Sequence, residues 1–227
     1  MATINVSALL ARAATLLQDA TSIRWPQSEL LDWLNDAQRE IALLKPNAFT
    51  KNVSVALSAG TKQALPVDGI SLIDVPRNMG ANGTTPGNAI RMVSREILDS
   101  QVPDWHTAAK QNAVVKHFVY SPLDPRTFYV YPPSTGGVSV EVIYVAAPTD
   151  AASNGVITLD DIYATPILDY MLFRAYSKDA EFASNPQVAT VYYDRFKGLL
   201  SGKLAAEQGS NPNQTLAPGN VNTVGGK

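Results

Sequence analysis

The two histidines, His106 and His117, are the side chains of this sequence best suited to moving a proton near neutral pH. A histidine base needs an oriented hydroxyl, thiol or carboxylate beside it. Neither Pro103-Asp-Trp-His106 nor Val115-Lys-His-Phe-Val119 supplies such a partner. Strand alternation places His117 on the face away from the core or at a turn-facing edge, so both histidines read as hydrogen-bonded surface or edge residues. The second candidate is a calcium loop. Asp150, Asn154, Gly155 and Asp161 fall at positions 1, 5, 6 and 12 of that pattern. Position 3 is Ala152, position 12 is Asp rather than a bidentate Glu, and a strand rather than a helix precedes it, so an ordinary turn is the simpler reading. With 0 cysteines there is no thiol nucleophile, disulfide or thiolate metal ligand. Glycine-rich phosphate loops, His-Glu-x-x-His and Gly-x-Ser-x-Gly are missing as well, and carboxylate pairs such as Asp179 and Glu181 are common on helix surfaces. The expectation is no catalytic residue, no cofactor and no metal: not an enzyme.

The elements around these residues follow the hydrophobic period. Helix one is predicted over residues 5–19, with Asn5 as N-cap and Val6, Leu9, Leu10, Ala13, Leu16, Leu17 and Ala20 on one face. Helix two starts with Pro26 in its first position and carries Leu30, Trp33, Leu34, Ala37, Ile41 and Leu44; Lys45-Pro46 ends it. From Asn52 the period falls to two. A hairpin is predicted from Val53, Val55 and Leu57 through a Ser58–Thr61 turn into residues 62–65. Further strands are predicted at 71–75, 89–94, 114–120, 127–131 and 138–146, with tight turns at Leu123-Asp-Pro125 and Tyr131-Pro-Pro133 and an exposed loop over residues 77–87. Helix three is predicted to start with Thr165 as N-cap and Pro166 as first residue, its apolar face made by Leu168, Met171, Leu172, Ala175 and Phe182. Helix four is predicted to start at Asn185-Pro186.

The fold class expected is α+β. N-terminal and C-terminal helical hairpins make a four-helix bundle, with an inserted antiparallel β-sandwich or barrel-like domain and a flexible C-terminal arm. The domain boundaries are 1–50, 51–149, 150–207 and 208–227. The arm is rich in Gly, Asn and Pro, and Lys227 is its one charge. Hydrophobic residues at 45% against 17% charged allow a real core, so general disorder is excluded before the arm. A net charge of −2 provides no basic footprint for gripping nucleic acid, although DNA sliding past would need none. No secretory leader and no membrane span is expected.

Aromatic residues cluster in the strands (Phe118, Tyr120, Phe128, Tyr129, Tyr131) and in the last helical hairpin (Tyr170, Phe173, Tyr176, Tyr192, Tyr193, Phe196). Most belong to the core, and the remainder suit a subunit interface. Trp25, Trp33, Arg39, Tyr176 and Arg195 are the candidate interface residues. The alternative function is a monomeric β-sandwich binding module on a helical base, recognising glycan or another host surface. That reading needs an exposed aromatic platform, for which Trp105 is the available tryptophan.

Specific strings sharpen the choice. Arg24-Trp25, Glu29-Leu-Leu-Asp-Trp-Leu-Asn-Asp-Ala-Gln-Arg-Glu-Ile41, residues 69–75 with Arg77-Asn78, Pro103-Asp-Trp-His106, residues 117–133 and residues 167–181 occur in order. Together they resemble the head-to-tail adaptor, or connector, proteins of tailed bacteriophages, over residues 5 to about 205; the tail carries no matching motif. The resemblance implies a structural virion protein at the head–tail junction, assembled in the host bacterial cytoplasm. It implies a homo-oligomeric ring, typically dodecameric, between the portal protein and a downstream tail or nozzle protein. DNA would pass through the lumen without specific binding. It also implies a portal-docking arm, here Asn211, Pro212, Gln214, Leu216, Pro218, Val221 and Val224. A closed ring needs a heterologous interface, which two helical hairpins can supply.

Overall fold

The computed structural model describes residues 2–179 and 185–209. The described chain is α+β, with five α-helices and two four-stranded sheets that are antiparallel except for one parallel pair. None of these helices is long and apolar enough to cross a membrane. The described residues of Met1–Lys45 and Thr149–Lys227 form one compact unit, and Pro46–Pro148 form the other.

The first unit is helical. Helix α1 (Val6–Leu16) buries Val6, Leu9, Leu10 and Ala13, while Leu16 and Ala20 are exposed. It stops earlier than its period suggests because Gln18 turns left-handed at φ 56°. The Gln18 amide then donates to Thr15 and the Asp19 amide to Ala14, which satisfies the last carbonyls. The Asp19 carboxylate accepts the amides of Ile23, Arg24 and Trp25 and so shapes the loop into the next helix. Those bonds, Trp25 foremost, hold its pKa below the usual carboxylate value. Helix α2 (Gln27–Leu44) buries Leu30, Trp33, Leu34, Ala37 and Ile41. Pro26 is its N-cap, not its first residue, and Leu44 is largely exposed.

Helix α4 (Ala164–Lys178) packs against α1, α2 and α5 (Asn185–Gly209). It buries nine side chains around much of its circumference, as a central helix must. It begins at Ala164 after a 3-10 turn, so Thr165 and Pro166 lie inside its first turn rather than at its cap. Proline is tolerated there because first-turn amides have no intrahelical acceptor. Phe182 lies outside the described residues. Two buried amides tie the segment before α4 to α2. Asn35 accepts the Ala151 amide at 2.8 Å, and Gln38 accepts the Thr158 amide at 2.8 Å and its hydroxyl at 2.5 Å.

The second unit holds both sheets. One joins β1 (Thr50–Ala56), β8 (Ser139–Ala146), β3 (Gly69–Asp74) and β4 (Asn78–Gly80); β3 and β4 pair with opposite ends of β8. The other runs β2 (Gly60–Ala64), β7 (Thr127–Ser134), β6 (His117–Tyr120), β5 (Arg91–Met92). Leu72, Val140, Val142 and Tyr144 from the first share one core with Phe118, Phe128 and Val130 from the second.

Two expectations for this unit fail, and one helix was not predicted. No β1–β2 hairpin forms: β1 pairs with β8 and β2 with β7, so the Ser58–Gly60 turn carries the chain from one sheet to the other. Buried Gln63 holds that corner through the Ser58 amide at 2.8 Å and the Ser58 and Gly60 carbonyls at 2.9 and 3.1 Å. Tyr131-Pro-Pro133 is not a turn but part of β7. Its prolines sit where the β2 register jumps from Lys62↔Tyr129 to Gly60↔Ser134, so no ladder amide is missed. Residues 95–101 are helical as α3 (Arg95–Gln101), because the Ser94 hydroxyl accepts the Ile97 amide and ends the strand early. The loop over residues 77–87 also contributes β4, with Asn78 buried.

Candidate functional site

His106 and the acidic loop residues are occupied in holding the fold, whereas His117, expected to be hydrogen-bonded, has a buried Nδ1 with no hydrogen-bond partner among the described residues. His106 Nδ1 lies 2.8 Å from the Thr61 hydroxyl, and its ring lies 3.7 Å from that of Trp105. Thr61 is buried, and Asp99 accepts the Trp105 indole N–H at 2.8 Å. His117 stacks on Tyr131, with ring centroids 6.3 Å apart. The two ends of the calcium-like segment have separate partners: Asp150 pairs with Arg39, and Asp161 accepts the amides of Thr3 and Ile4 and the Thr3 hydroxyl. The Thr3 hydroxyl leads in depressing the Asp161 pKa. Among the described residues no cluster of three or more His, Asp or Glu could hold a metal.

The strings that carried the resemblance are equally structural. Asn78 accepts the Val115 amide at 2.9 Å and donates to the carbonyls of Val115 at 2.8 Å and Asn88 at 2.9 Å. Arg77 pairs with Glu141, and Arg24 with Asp179. At Gly69 an added Cβ would fall 2.7 Å from the Leu65 Cβ, so only glycine fits. Trp105 is 0% exposed between Leu98 and Val119, which removes it as a glycan platform.

The candidate interface residues have mixed positions within the subunit. Trp25 and Trp33 are buried, the Trp25 ring lying under the Arg24 guanidinium at 4.9 Å. Arg39 is exposed and paired with Asp36 and Asp150. Tyr176 stacks on Tyr192 at 5.7 Å, and burial raises its pKa. Arg195 lies over Tyr192 at 5.5 Å and 3.5 Å from the carboxylate of buried Asp169. The arm residues Asn211, Pro212, Gln214, Leu216, Pro218, Val221 and Val224 lie outside the described residues.

A surface that sequence reasoning missed lies along the C-terminal half of α5. Two hollows meet at Leu200. One, of 260 Å³, is lined by Leu44, Leu204 and the stems of Lys45 and Lys197. The other, of 370 Å³, is lined by Ile162, Tyr163, Pro166, Leu199 and Lys203. Ile162 is 55% exposed, and Leu44, Leu199 and Leu204 also face solvent; a run of apolar side chains of this kind marks an interaction surface. Lys45 fixes the position of this half-helix. Its side chain is 3% exposed, and its ammonium lies 2.6 Å from Glu207. Burial pushes its pKa down, but Glu207 and Tyr163 outweigh it and hold the ammonium above its usual value. Glu207 is held low by Lys45 and by Lys203 at 2.9 Å.

A family model described as SU10 adaptor protein matches residues 4–220. The chain belongs to the SU10 adaptor protein family. No curated protein matches the sequence. SU10 adaptors are phage head-to-tail adaptors, and the role is structural. The match also reaches beyond residue 205, where the recognisable strings end, and takes in the arm as far as Asn220. Surfaces for other chains, rather than a reaction centre, are therefore the functional features of an SU10 adaptor to be located.

Proposed function

We propose that this protein is a ring-forming connector subunit between a portal protein and a tail component, with DNA passing through the lumen. The observation that carries the reading is the exposed apolar surface along α5, on a chain whose His106 and acidic loop are committed to internal contacts. Family membership points the same way. In this reading the helices act as a four-helix bundle, and the sheets as a sandwich inserted in the chain between its two halves. The α5 surface of one copy meets a different helical face of the next, as ring closure requires. Arg39, Tyr176 and Arg195 lie at the edge of that contact. Trp25 and Trp33 act from beneath by fixing the helices. The arm, whose one charge is Lys227, docks on another chain of the junction.

Light scattering and electron microscopy of the purified chain, alone and with portal protein, test this reading. Closed rings, or a shift into a portal-bound assembly, are expected. A chain that remains monomeric at every concentration and never joins portal would refute it.

A further inference from the structure

Strand β1 presents an unprotected sheet edge. Among the described residues it pairs with β8 alone, in seven consecutive register pairs from Thr50↔Val145 to Ala56↔Ser139 with no shift. It contains no proline and no bulge, and its one charged side chain, Lys51, is paired with Asp68. The Leu57 amide donates to the Val138 carbonyl and its carbonyl accepts the Gly137 amide, so Leu57 faces β8. By alternation Val53 and Val55 also turn their backbone groups to β8, and those of Asn52 and Ser54 point to the open edge.

The side chains of β1 extend the sheet beyond its cover. Their neighbours Val140 and Val142 on β8 are fully buried, yet Val53 across from Val142 is 36% exposed and Val55 half-buried. On the other face Asn52 donates to Glu141 at 2.7 Å. The loop at Gly83 approaches Ser54 and Ser139 from that polar face. The open edge thus asks for a strand with apolar groups on one side and small polar groups on the other.

We propose that β1 accepts residues 219–224 of a second copy as an added strand. The inference rests on the connector reading, and it assigns Val221 and Val224 to a sister subunit instead of portal. By alternation the segment Gly-Asn-Val-Asn-Thr-Val puts Val221 and Thr223 on one side, where they match Val53 and Val55, and Asn220, Asn222 and Val224 on the other, where they match Asn52, Ser54 and Ala56. It carries no charge to oppose Lys51 or Glu141, which are already paired with Asp68 and Arg77. Residues 210–218, between the end of α5 and this segment, span up to about 30 Å, enough to leave the subunit. An edge and a tail are different surfaces, so their pairing is heterologous and can propagate round a ring.

The chain has 0 cysteines, so introduced thiols report cleanly. Full-length Val53→Cys and Val221→Cys chains are mixed and treated with a short bis-maleimide, and fully exposed Val67→Cys replaces Val53→Cys as control. We expect at least about tenfold more Val53–Val221 product than control. The backbone of Ser54 faces the edge, so Ser54→Pro removes an outward amide without breaking the β8 ladder and should abolish the excess. Thr223→Pro in the donor should do the same without touching the sheet. Product equal to control, product insensitive to both prolines, or cross-linking confined to chains carrying both thiols would overturn the proposal. Rings seen by light scattering in any of those cases leave the connector reading standing. A chain that never oligomerises refutes the strand addition, and one that also never joins portal refutes both.

Discussion

Asn78 shows how a single side chain in a recognisable string is used. Its amide closes three bonds to the backbone of Val115 and Asn88 inside the β unit. Asn78→Ala leaves the Val115 amide and carbonyl without these partners, while the Asn88 carbonyl keeps the Asn78 backbone amide, at a cost of roughly 2–4 kcal/mol. Urea unfolding should show a midpoint shift of that size; a change under about 0.5 kcal/mol would mean that the bonds contribute little. Asp169 is the opposite case, a buried carboxylate that the fold disfavours. Burial raises its pKa, and Arg195 and Arg12 only partly oppose this. A carboxylate raised in the folded state binds protons more readily there than in the unfolded chain, so its contribution to stability falls as pH rises from its usual 3.8 through the folded value. Asp169→Asn should therefore stabilise the subunit at pH 7, with the gain vanishing as the pH drops below that usual value. Thermal melts across the acid range check this, and a loss of stability at pH 7 would show that the pair with Arg195 outweighs burial.

Elements were legible where one period ran long enough. The stripe from Leu30 to Ile41 announced α2, and Val138, Val140, Val142 and Tyr144 announced β8. What misled was punctuation. Ser58-Ala-Gly-Thr61 has hairpin composition, but nothing local encodes that the following strand joins the other sheet. Pro132 and Pro133 look like a stop because the register jump that makes them harmless is a tertiary fact. Helix α3 was missed because it is seven residues long and buries only Leu98, too little for a period to show. The lack of a catalytic motif around the histidines was legible from their neighbours in sequence, whereas the α5 surface was not legible, since Leu199 and Leu204 fit an apolar stripe whether or not it is covered. Helix α5 itself yields a prediction. Depression of Glu207 makes its share of the hold on the helix end present above its usual 4.5 and lost as pH falls through the lowered value. Elevation of Lys45 makes its share present below 10.5 and lost as pH rises through the raised value. Amide exchange over residues 200–207 should be slow at neutral pH, after correction for intrinsic rates, and should quicken on acidification before the rest of the helical unit loosens. Loosening in step with the whole unit would assign no local role to the pair.

At the scale of the molecule, holding the fold and joining an assembly draw on different residues. Trp25, Trp33, Asn35 and Gln38 are buried, and Asn35 and Gln38 are hydrogen-bonded to distant parts of the subunit's chain, so substituting any of the four confounds folding with assembly. Leu199 and Leu204 flank the two hollows on α5 and are 43% and 39% exposed. A glutamate at either position keeps its charge in water, and both residues lie in a helix that tolerates Glu. Leu199→Glu and Leu204→Glu should each leave the folded subunit within about 1 kcal/mol of the parent, as expected for surface changes. In a ring, each copy would bury that carboxylate against the apolar surface of its neighbour, and the penalty would recur at every interface around the circle. Sedimentation velocity should then show the parent as rings and both variants as smaller species with unchanged melting temperature. Rings that persist in both variants would move the interface off α5 and leave the helical surface as a site for portal or tail protein instead.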